Sequence, residues 1–139
     1  MELIACDLNR IIINESNDQQ VIFLKEKGSA RNFPIVIGMY EAWTINNTIK
    51  GIRAPRPLTH DLIVNIITGM GAKMTRVIVT KLEEGTYYAV LEVQKDGKTY
   101  EIDARPSDAI AVSLKMGAPI FVSKDVIDQV VPPEKNGNK

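Results

Sequence analysis

The dipeptide Asp96-Gly97 stands between two alternating runs, Tyr87 to Gln94 and Thr99 to Ala104. A two-residue turn of this kind needs two left-handed residues, and Asp-Gly is among the pairs that supply them. It fixes a hairpin and its register. Counting outward, Gln94 faces Thr99, Val93 faces Tyr100, Glu92 faces Glu101, Leu91 faces Ile102 and Val90 faces Asp103. Leu91, Val93, Tyr100 and Ile102 then share one face, expected to be the core side. Glu92, Glu101, Asp103 and Arg105 share the other. Two glutamates directly opposite each other repel, so the pair calls for a cation nearby. Either these carboxylates form a wall able to hold a divalent ion, or they form a solvated strand face beside Lys95 and Lys98.

A third strand, Met74 to Leu82, precedes the hairpin and turns at Glu83-Glu84-Gly85, which makes a meander. Before it, Glu2–Leu8, Val21–Leu24 and Phe33–Ile37 read as strands. Ile11-Ile12-Ile13 continues the first, as a bulge or a doubly buried stretch. Turn residues occupy 14–18, and Pro34 suits an edge strand. Helices are expected over Met39–Lys50, with Ala42, Ile45 and Ile49 inward, and over Thr59–Met70, with Leu62, Ile63, Ile66, Ile67 and Met70 inward. A third covers Ser107–Met116, with Ile110, Ala111 and Leu114 inward. Pro119–Val122 is a short strand, and Lys124–Val131 a last helix stopped by Pro132-Pro133. The reading is an α+β fold: one domain over 1–131, largely antiparallel sheets packed with about four helices, and a disordered tail over 132–139.

Two helix entries echo each other. Arg56-Pro57 leads through Thr59 to Asp61, and Arg105-Pro106 leads through Ser107 to Asp108. Both following helices run to Met-Gly-Ala. A residue before proline is held extended. Thr59 and Ser107 suit helix caps, and an aspartate in the first turn suits the helix dipole. Each corner thus offers an arginine, a hydroxyl, a carboxylate and free N–H groups. Arginine with N–H groups suits phosphate; the aspartate suits a cation or the arginine itself.

Composition narrows the classes. Lys+Arg and Asp+Glu number 17 each, which argues against strong sequence-independent nucleic-acid binding while leaving room for a local basic patch. Cys6 is the single cysteine, so no disulfide can form within the chain, as in a reducing compartment. Met1 to Asp7 lacks the pattern of a signal peptide, and no segment approaches membrane-spanning length. The expected location is the cytoplasm, with no membrane partner. There is no P-loop, dinucleotide fingerprint or cysteine–histidine zinc spacing.

Pro34-Ile35-Val36-Ile37-Gly38, Glu41-Ala42, Pro55 through Leu62, Asp103 through Ala111, and Pro119-Ile120-Phe121-Val122 together resemble the bifunctional nuclease domain family, in order and across about 1–131. The resemblance implies an oligomeric α+β protein acting on DNA and RNA. The chemistry expected is metal-assisted phosphodiester hydrolysis. Catalytic candidates are His60, Asp61, Asp103 and Asp108. Phosphate candidates are Arg56, Arg105, Ser107 and Thr59. A magnesium-type ion would take Asp103, Asp108, Glu101 and Glu41. His60, the only histidine, is the candidate base. Each residue also has a plainer reading. His60 can satisfy backbone groups, the aspartates and Glu41 can complement helix dipoles, and the arginines can lock corners together. Trp43, Tyr40, Tyr87 and Tyr88 can stack on bases or fill the core, and Trp43 can face another subunit. The rival function is a non-catalytic oligomeric binding or regulatory module, a dimer by preference, whose corners hold subunits or a small anion. Arginines buried in ion pairs with no open cleft would favour it. An open cleft where His60 and carboxylates converge would favour the enzyme.

Overall fold

The computed structural model describes residues 1–14, 16 and 19–131. The turn expected at 14–18 lies partly outside these residues. The tail expected at 132–139, with its Pro132-Pro133 stop, lies wholly outside them.

Eleven elements are described: β1 (Leu3–Ile12), β2 (Gln20–Glu26), β3 (Asn32–Ile37), α1 (Met39–Lys50), α2 (Thr59–Gly69), β4 (Lys73–Glu83), β5 (Thr86–Lys95), β6 (Lys98–Ala104), α3 (Pro106–Met116), β7 (Ile120–Ser123) and α4 (Lys124–Val130). This is a mostly antiparallel α+β arrangement in one sheet, ordered β3-β2-β1-β7-β4-β5-β6. The β5–β6 register is the one that the Asp96-Gly97 turn dictates, from Gln94 opposite Thr99 to Val90 opposite Asp103. Asp96 and Gly97 have φ of 53° and 77°, the left-handed pair that a tight hairpin turn requires.

The meanders β1–β3 and β4–β6 do not form separate sheets. β7 runs between them, antiparallel to β1 and parallel to β4. Ile120 sits opposite Cys6 on one side and Val77 on the other. One face of the sheet carries Ile22, Leu24, Val77, Val79, Ala89, Leu91 and Val122, all buried. Helices α1 and α2 pack on α3, which lies against β4 and β5. Pro34 lies on β3, an edge strand, opposite Phe23 of β2, a position where the sheet tolerates proline. The β1 bulge falls between Leu8 and Arg10. Ile12 and Ile13 are exposed rather than doubly buried, because β1 there has β2 on one side only.

Several apolar residues expected inside are outside. Of the apolar residues of α2 only Ile67 is buried, while Leu62, Ile66 and the following Met70 are exposed, because this helix rests mainly on α3 rather than on the sheet. Ile49 is exposed near the end of α1. Tyr100 and Ile102 share the face of buried Val93 and Leu91 but are 48% and 45% exposed, since β6 is an edge strand.

On the opposite face, the Glu92–Glu101 pair has its cation. Arg76 donates to both Glu92 carboxylate oxygens, at 2.9 and 3.1 Å, and the Thr75 hydroxyl donates at 2.8 Å. The hydrogen bonds from Arg76, outweighing partial burial, hold the Glu92 carboxyl below its ordinary range. Elsewhere, Arg31 donates to Glu26, to Asp128 and to the Val131 carbonyl, tying the β2–β3 turn to α4.

Candidate active site

Helices α2 and α3 begin side by side, and both place an aspartate at their third position. At α2 the cap residue is Leu58, and the Asp61 carboxylate accepts from its backbone N–H at 3.0 Å. At α3 the cap residue is Arg105, followed by Pro106. Thr59 and Ser107 are therefore not the caps. Pro106, at the first helical position, starts α3 two residues earlier than a hydroxyl cap at Ser107 requires, and α2 starts one residue earlier than a cap at Thr59 requires. Thr59 is exposed and Ser107 is buried.

Asp108 is the acceptor at the centre. Arg105 donates to it through Nε at 2.8 Å and Nη2 at 3.0 Å, and His60 Nε2 lies 2.8 Å from its Oδ1. Burial pushes the Asp108 carboxyl up, but the hydrogen bonds from Arg105 and His60 together outweigh it and hold the group below its ordinary value. In the tautomer that gives its Nε2 proton to the ionised Asp108, the imidazole carries its lone pair on Nδ1. Arg105 Nη2 also donates to Glu41 at 2.9 Å. Glu41 folds back over Gly38, where any Cβ would collide with its carboxylate.

Asp61 is held separately. Beyond its bond from Leu58, it pairs with Lys115 at 2.9 Å. The Leu58 N–H first and Lys115 second lower its carboxyl. The first measurable consequence is acid lability. Asp61, Asp108 and Glu92 each ionise more readily folded than unfolded. The stability they contribute is complete above the ordinary value, 3.8 for aspartate, and is lost as pH falls through the folded values. Urea midpoints are expected to drop between neutral pH and a pH below 3.8. The drop should be smaller in Asp108→Asn; an equal drop would show that Asp108 is not linked to folding.

The start of α2 borders a cleft of about 770 Å³ between α1, the 51–58 loop, α2 and the end of α3. His60, Asp61, Arg56 and Lys115 line it, together with Arg53, Trp43, Asn47 and Asn65. His60 is 2% exposed and stacks on Tyr40 with ring centres 5.9 Å apart. Among the described residues, two buried side-chain polar atoms lack a hydrogen-bond partner, Thr44 Oγ1 and His60 Nδ1. Both belong to residues of this cleft.

The expected site residues thus separate into groups. His60, Asp108, Arg105 and Glu41 form one connected cluster; Asp61 joins Lys115; Arg56 stands exposed in the cleft. Asp103 and Glu101 are exposed on β6, away from these contacts. Asp103, Asp108, Glu101 and Glu41 do not assemble into a coordination shell. Glu41 and Asp108 already share a guanidinium, and no three His, Cys, Asp or Glu side chains among the described residues converge as a metal site would need. Arg53 and Lys115 escaped the sequence reading. Arg53 lies two residues before the Pro55-Arg56-Pro57 motif, and Lys115 is one basic residue of many until the fold brings it to Asp61.

The bifunctional nuclease domain model matches residues 21–134. The chain belongs to the bifunctional nuclease domain family. An uncharacterised protein of Mycobacterium tuberculosis (strain CDC 1551 / Oshkosh) is 40% identical over 119 residues, covering 86% of this chain and 71% of the relative. Bifunctional nuclease 2 of Oryza sativa subsp. japonica is 30% identical over 118 residues, and bifunctional nuclease 1 of Oryza sativa subsp. indica 28% over 118. Both rice matches cover 82% of this chain and 36% of the relative, so this family chain spans little more than a third of those plant proteins. No helix among the described residues is long and apolar enough to cross a membrane.

Proposed function

We propose that this chain is a nuclease that hydrolyses phosphodiester bonds of DNA and RNA in the cleft beside His60. The observation that carries the reading is the pair of unpartnered buried atoms, His60 Nδ1 and Thr44 Oγ1, in one cleft with two arginines free of ion pairs among the described residues. Asp108 orients the imidazole, leaving Nδ1 as the basic nitrogen. In this reading the attacking water is the partner of Nδ1. In the reaction Nδ1 takes a proton as the water oxygen bonds to phosphorus. The departing ester oxygen takes that proton back from the imidazolium as its bond to phosphorus breaks. Arg53 and Arg56 neutralise the phosphate, and Arg105 holds Asp108 in place rather than touching substrate. The carboxylates expected to hold magnesium are not gathered together among the described residues, and His60 with the two arginines carries the chemistry proposed. Cys6, free and buried, fits a cytoplasmic setting.

The test is cleavage of labelled DNA and RNA by purified protein with magnesium, manganese or chelator, beside an Arg53→Ala, Arg56→Ala variant. Cleavage that falls at least tenfold in the variant supports the reading. Equal cleavage in both proteins, or none under any condition, would sink it.

One observation favours the rival, a non-catalytic dimeric module: Arg105 is committed to Glu41 and Asp108. Yet its side chain is 65% exposed, and His60, which shares Asp108 with it, lines an open cleft, which suits an enzyme better than a sealed subunit clasp. Self-association is compatible with both, and the exposed Leu62, Ile66 and Met70 stripe of α2 is the surface that suits it.

A further inference from the structure

Resting on the nuclease reading, we infer that the cleft takes single-stranded nucleic acid, with Trp43 as the platform on which one unpaired base stacks. Trp43 is the only tryptophan of the chain. It lines the cleft and is 46% exposed, although a tryptophan without a partner is costly to leave in water. It is held rather than loose. Its ring lies 6.2 Å from that of Tyr40, tilted by 33°, and Tyr40 in turn stacks on His60. The three rings form a run from the half-exposed indole to the buried imidazole.

The polar residues of the cleft are those that such a ligand needs. Arg53 and Arg56 are exposed and form no ion pair among the described residues, whereas Lys115 is tied to Asp61. They reach phosphates, while Asn47 and Asn65 offer both donors and acceptors to base edges. A base within a duplex has both faces covered by its neighbours and cannot lie on an indole without leaving the stack. An unpaired base has a free face, and stacking tolerates any base, as a nuclease of broad sequence range requires. The charge balance agrees. The 17 basic and 17 acidic residues balance, which argues against strong sequence-independent duplex binding, and the arginines without ion pairs at this site are local to the cleft.

The experiment follows Trp43 emission while purified protein is titrated with a cleavage-resistant single-stranded oligonucleotide, DNA or RNA, and with the duplex of the same sequence. Single strands are expected to quench the emission and to bind more tightly than the duplex. With two phosphate contacts, log K should fall with log salt at a slope of about −1.4. In Trp43→Ala, anisotropy of the labelled strand should report roughly 5- to 150-fold weaker binding, and Trp43→Phe should retain most of the affinity. Unmoved emission with unchanged Trp43→Ala affinity would overturn the stacking role, as would equal affinity for duplex and single strand; cleavage by the native protein would then still uphold the nuclease reading. Failure to bind or cleave any nucleic acid would remove both.

Discussion

Replacing His60 by glutamine is expected to lower the rate of phosphodiester cleavage by about 10²- to 10⁴-fold, the usual contribution of a positioned general base. Glutamine keeps an N–H donor for Asp108 and a side chain of similar reach, but has no basic nitrogen. The loss should therefore fall on turnover more than on binding or folding. His60 is buried against Tyr40, so a truncation to alanine would leave a cavity and an aspartate short of one donor; glutamine separates chemistry from structure. Asp108→Asn should cost less, since it disturbs the tautomer and the Arg105 contact without removing the base. Because the two residues act as a unit, the double variant should be no slower than His60→Gln alone. Rates measured with a thermal melt of each variant decide the matter. A His60→Gln protein that cleaves at the native rate would remove His60 from the chemistry.

The second large effect concerns two isoleucines in strands. Ile120→Ala is expected to cost about 2–5 kcal/mol of unfolding free energy, and Ile102→Ala under about 1 kcal/mol. Ile120 is 6% exposed on β7, packed between Cys6 of β1 and Val77 of β4. Ile102 is 45% exposed on edge strand β6. Truncation on β7 leaves a cavity between the two meanders, whereas truncation on β6 mainly returns surface to water. Urea unfolding of both variants measures the difference. Equal costs would show that β6 is covered in solution, as self-association through that edge would cover it, or that β7 is not the joint between the halves.

Local chemistry made much of this legible. Asp96-Gly97 determined the β5–β6 pairing residue by residue, because a two-residue turn leaves one register that keeps apolar side chains on one face. Pro34 marked an edge strand. The corner motifs located the two helix starts to within a residue and named His60, Asp61, Arg105 and Asp108 before any contact was visible. What the sequence could not supply was pairing between distant segments. Nothing in Ile120–Ser123 states that this strand enters between β1 and β4 and turns two meanders into one sheet. Nor does the stripe Leu62, Ile66 and Met70 reveal that α2 rests on another helix and leaves that stripe in water. The same holds at the site. Whether a carboxylate holds a metal or an arginine depends on what stands opposite it. Tertiary packing put Arg105 between Glu41 and Asp108, and Arg76 against Glu92, so guanidinium groups occupy the places where a divalent ion was expected. Periodicity and turn residues act over a few positions and are written in the chain; the partner of a buried charge or an apolar face lies dozens of residues away and is chosen only when the layers close.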